Sequence, residues 1–76
     1  MSWYPALIDV RQAYFRAFTA EDSADWHLAV QNYLFCLEKS LEAADRRAVK
    51  FFAAKLCLAY GQMQMMDKAE YYRRLC

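Results

Sequence analysis

Glycine and proline are nearly missing from this chain, which has one of each, Gly61 and Pro5, in 76 residues. Tight turns between strands draw on Asn-Gly, Asp-Gly or Gly-Gly pairs, and none is present, so an all-α fold follows. Histidine is as scarce. His27 stands alone, with no nucleophile and orienting acid at a readable spacing. The cysteines, Cys36, Cys57 and Cys76, include no CxxC pair. Without short paired ligands a zinc site is not expected, and without a nucleophile, base and acid neither is catalysis; no metal or cofactor is expected. The odd cysteine count fits three small buried thiols in a reducing compartment. Long hydrophobic runs are absent too. Phe51 to Tyr60, interrupted by Lys55, spans ten residues, against the roughly 20 that a bilayer needs. No basic segment followed by a cleavable apolar stretch opens the chain, so a cytoplasmic protein without a membrane span is expected.

What the chain does have is apolar surface. The apolar fraction is 59% and aromatics reach 17%, too much for the interior of one small domain spanning residues 1–76. Some of these side chains must line a groove or an interface. Charge is divided. Residues 1–45 carry three bases against seven acids, a net of −4, and residues 46–76 carry seven bases against two acids, a net of +5. The near-neutral total offers little repulsion against association, and the opposed halves suit attraction within the chain, between copies, or toward a charged partner.

Hydrophobic spacing predicts four helices. The first begins near Ser2 or Pro5 and carries Leu7, Val10, Tyr14, Ala17 and Phe18 on one face, with Ile8 and Phe15 widening the stripe beyond what one neighbour covers. Asp22 or Ser23 is expected to cap the second, which aligns Trp26, Ala29, Tyr33, Cys36, Leu37 and Leu41. A break near Ala44 and Asp45, with Asp45 as cap, separates it from a third helix that is apolar nearly all round from Phe51 onward. Gly61 suits that helix's end, where a left-handed residue is easiest for glycine. Met65, Ala69, Tyr72 and Cys76 then mark a short fourth helix.

Leu56, Cys57, Tyr60, Met66 and Ala69 alternate bulky, small and aromatic residues across a turn, a pattern that resembles the tetratricopeptide (TPR) repeat. Ala13, Ala17, Trp26, Ala29, Tyr33, Cys36 and Leu37 form an earlier copy, and placing Ala29 on Ala69 gives a period of 40 residues. The match is degenerate: Gln64 replaces the usual turn glycine, Leu41 the closing proline, and Arg73 an aromatic. The resemblance implies two antiparallel hairpins, about 3–42 and 45–76, with an inward groove lined from the first and third helices. The carboxylate clamp of some family members would fall at Ala54 and Leu58, and is absent. In size, architecture and hydrophobicity the chain resembles small TPR-like chaperones of bacterial type III secretion. Two repeats are few for an array, so a partner is expected to cover part of the third and fourth helices.

The expected function is non-enzymatic: a binding module or chaperone that buries an amphipathic helix of a partner, or of its own copy in a homodimer, in an apolar groove. Tyr14, Phe18, Phe51, Phe52 and Leu58 would make the contact, with Arg11 also lining the groove and Lys50 and Lys55 steering acidic groups. Two alternatives remain open. One is a small phage-type inhibitor that masks a target protein. The other is a nucleic-acid-binding protein that uses Arg46, Arg47, Lys50 and Lys55, with Arg73 and Arg74, along its basic second half.

Overall fold

Three turns of one conformation divide the chain into helices α1 (Trp3–Asp22), α2 (Trp26–Glu42), α3 (Arg46–Gln62) and α4 (Met66–Arg73). The structure, a computed structural model, describes the backbone of residues 3–76 and the side chains from Asp9 onward. Ser2 and the side chains of Leu7 and Ile8, assigned above to the start and stripe of the first helix, lie outside the described residues. In each turn one residue takes a left-handed conformation: Ala24 (φ 59°), Ala44 (φ 54°) and Gln64 (φ 59°), spaced 20 residues apart. The next residue donates its amide back to the helix just completed, Asp25 to Ala20, Asp45 to Ser40 and Met65 to Tyr60, at 2.8–3.0 Å. These bonds, with Ala24 to Glu21, Ala44 to Leu41 and Gln64 to Gly61, form three Schellman turns that satisfy otherwise orphaned carbonyls. The residue closing one helix is also the cap of the next. Asp25 and Asp45 accept from the amides of Leu28 and Ala48 with their side chains, whereas Met65 offers no side-chain cap.

Two expectations are corrected here. The cap of α2 is Asp25, because Asp22 ends α1 and Ser23 lies in the turn. Gly61 is not the left-handed residue. It lies inside α3, and Gln64 takes the strained position three residues later. The break at Ala43 to Asp45 is present, so residues 23–60 do not form one long helix.

The protein is all-α, with four helices packed antiparallel in chain order, each against the next, and no strand among the described residues. Small buried residues on α1 (Ala13, Ala17, Ala20), with Ala29 and Ala59, let the helices approach closely. Tyr33, Leu56, Cys36 and Phe52 fill the space between them. Burial follows the 20-residue spacing of the turns: Ala13, Tyr33 and Ala53 are buried, as are Ala20, Ser40 and Tyr60. The expected stripes hold in part. Leu41 is exposed, Trp26 only half-buried, and Cys76 exposed beyond the end of α4 rather than buried. α4 has no fully buried side chain; it packs on α3 through Ala69 and by stacking Tyr72 on Tyr60, ring centroids 5.6 Å apart.

Candidate partner-binding surface

α1 and α3 come together through Tyr14, whose ring meets Phe51 edge-on at 5.5 Å and Phe52 at 5.8 Å. One turn along α1 and two along α3, Phe18 and Leu58 continue this stripe and are about half exposed, at 53% and 47%. Phe51 is 42% exposed. Ala54 lies open between Phe51 and Leu58, keeping the centre of the stripe low. Arg11 and Lys50 are exposed on the same two helices. The predicted contact residues all fall on this pair of helices, but two of them are not open to a partner. Phe52 is only 6% exposed and packs on Tyr33 in the core, so its ring is not offered to a partner. Adjacent residues on a helix point about 100° apart, and Phe51 takes the open side while Phe52 takes the closed one. Lys55 is engaged from within. Its ammonium lies 3.6 Å from Glu21 and over the Phe51 ring at 5.7 Å.

Glu21 and Tyr33 form a polar contact that the sequence reading missed. The fully buried Tyr33 donates its hydroxyl to Glu21 at 2.7 Å. Burial, followed by the neighbouring carboxylate, pushes the Tyr33 phenol well above its ordinary range. Nothing in sequence spacing pairs these residues, which meet only because α1 and α2 fold back on each other. The other large exposed apolar residues, among them Phe15, Leu28, Met66 and Tyr71, were likewise not assigned to the site. Phe15 is named above only as an apolar residue that widens the first helix's stripe, and Met66 only as a bulky position of the repeat-like pattern.

The remaining titratable groups are engaged or scattered. Burial pushes the Cys36 thiol up to about 11, which leaves it protonated and unreactive at neutral pH. Among the described residues no three His, Cys, Asp or Glu side chains come together as a metal cluster. Arg73 and Arg74 both bond Glu70, with the Arg73 Nε at 2.9 Å and the Arg74 Nε at 3.2 Å. With Lys55 on Glu21, the basic half is left with Arg46, Arg47, Lys50 and Lys68 outside any ion pair. No described helix is long and apolar enough to cross a membrane. Compared with protein-family models, with curated proteins and with solved structures, the chain matches none.

Proposed function

We propose that this chain is a non-enzymatic protein-binding module that takes an amphipathic helix along the stripe of Tyr14, Phe18, Phe51 and Leu58. The single observation behind this reading is the aromatic contact of Tyr14 with Phe51, which joins two helices into one continuous, partly exposed apolar track. Such a track suits the helix-in-groove mode, in which side chains at helical spacing fill a shallow apolar channel. Arg11 and Lys50 beside it favour acidic residues at the flanks of the bound helix. The degenerate TPR-like hairpins fit this use, and shielding an aggregation-prone helix, as type III secretion chaperones do, is the role we favour over masking by a phage-type inhibitor. A cytoplasmic location fits either role. The pairing of Lys55, Arg73 and Arg74 with carboxylates leaves the nucleic-acid alternative with less free positive charge than the composition promised.

The test is a titration with a synthetic amphipathic helix that has a Leu/Phe face and acidic flanks, followed by amide chemical shifts. Shifts should concentrate on α1 and α3, and Phe18→Ser and Leu58→Ser should each weaken binding tenfold or more with an unchanged melting curve. Absence of binding, or shifts that avoid both helices, would overturn the reading.

A further inference from the structure

Four exposed residues of α1, Arg11, Phe15, Phe18 and Asp22, follow one another at spacings of four, three and four. This is the spacing of a seam along one side of a helix, here the side opposite the buried Ala13, Ala17 and Ala20. Phe15 is 70% exposed and Phe18 53%. Neither Arg11 nor Asp22 belongs to an ion pair among the described residues.

Exposed rings alone do not say what covers them, but the order of the charges does. The seam reads basic, aromatic, aromatic, acidic, and its spacing is symmetrical about the midpoint of Phe15 and Phe18. Against an antiparallel copy of itself, Arg11 therefore meets Asp22 of the second copy and Phe15 meets Phe18. Each contact occurs twice about a twofold axis. A parallel copy would instead set Arg11 against Arg11 and Asp22 against Asp22, which like-charge repulsion opposes. At the edge of the antiparallel seam the uncharged Gln12 and Thr19 come side by side.

α3 suits the same axis. It runs parallel to α1, and Tyr14 meets both Phe51 and Phe52, so the midpoint of Phe15 and Phe18 lies level with Ala54. Ala54 is exposed and stands beside the midpoint of Phe51 and Leu58. One axis thus pairs Phe15 with Phe18 on α1 and Phe51 with Leu58 on α3. The smallest side chain of the stripe falls where the two α3 helices come nearest.

We propose that a second copy of this chain docks on the α1–α3 face in an antiparallel twofold dimer, its α1 serving as the amphipathic helix. The proposal deepens the helix-binding reading and rests on it, because Phe18, Phe51 and Leu58 are shared. Dimer and foreign helix therefore compete. α1 has what that face asks of an occupant: two aromatic rings on one side and an acidic residue at the end that meets Arg11.

The experiment is sedimentation equilibrium on the full chain from micromolar to near-millimolar concentration, with Arg11→Asp, Asp22→Arg and the double variant. Both positions are exposed, and melts followed by circular dichroism check that the variants remain folded. Wild type should pass from monomer to dimer and no further, and less readily in high salt. Each single variant should dimerise at least tenfold more weakly, since both pairs then become like-charged. The double variant, and an equimolar mixture of the two single variants, should recover most of that loss. The acidic synthetic helix should dissociate the wild-type dimer. A wild type that stays monomeric, one that grows past a dimer, or charge reversals that their combination does not rescue would overturn the proposal. A monomer that still binds the synthetic helix would overturn it while leaving the helix-binding reading intact. A charge-dependent dimer that ignores the synthetic helix would uphold it and confine the face to its own copy.

Discussion

The Glu21 carboxylate ties together the three long helices: one oxygen accepts the Tyr33 hydroxyl at 2.7 Å and the other lies 3.6 Å from the Lys55 ammonium. The two contacts have unequal value. Tyr33 is fully buried, and Glu21 is the hydrogen-bond partner its hydroxyl loses if that side chain is removed. The Lys55 and Glu21 side chains keep 24% and 22% of their exposure, and water competes for the pair. We expect Glu21→Ala to cost about 1–3 kcal/mol, the penalty for an unsatisfied buried group. Lys55→Met should cost under about 1 kcal/mol. Urea melts of the two variants give the order, and equal losses would mean that the ion pair dominates.

The same contact predicts an alkaline dependence of stability. The folded-state pKa of Tyr33 is raised, chiefly by burial and then by Glu21, so below the ordinary value of 10.0 its contribution is intact. As pH rises past 10.0 the unfolded chain releases the phenolic proton while the folded chain keeps it, and stability falls. Tyr60 and Tyr72, also raised first by burial, add slopes of the same sign. Melting temperatures above pH 10 should therefore decline, and Tyr33→Phe should make the decline shallower without abolishing it.

Backbone substitutions at the last turn of α3 should raise stability. Gly61→Ala exchanges a poor helix former for the best one in open space, at the penultimate position of α3, and should gain at most about 1 kcal/mol. Gln64→Gly relieves a left-handed conformation that costs a non-glycine residue roughly 1–2 kcal/mol. Thermal melts would show both gains; a loss at Gln64→Gly would indicate that the glutamine side chain contributes something besides the turn.

Phe51 and Phe52 should respond differently to truncation although they are adjacent. Phe52→Ala opens a cavity between Tyr14 and Tyr33 and should cost about 3–5 kcal/mol. Phe51→Ala removes a ring that is 42% exposed and should cost markedly less. Equilibrium denaturation of the two variants separates core from surface.

Helix type and number were legible because Asp45 is a strong cap and the apolar residues recur at helical spacing. The cap of α2 was less legible. Four candidate side chains lie between Glu21 and Asp25, and only the Schellman geometry decides that the last is the cap and the first faces the core. Gly61 misled because glycine is the favoured left-handed residue, whereas this chain places Ala24, Ala44 and Gln64 in that conformation. The candidate surface was legible as a stripe on two helices. Which of Phe51 and Phe52 faces outward was not, since that depends on how α3 is rotated against α1 and α2.

The three joints share one geometry, and each residue that closes a helix also starts the next. No slack connects one helix to its neighbour, so the angle between consecutive helices is inherited from the joint rather than negotiated by a loop.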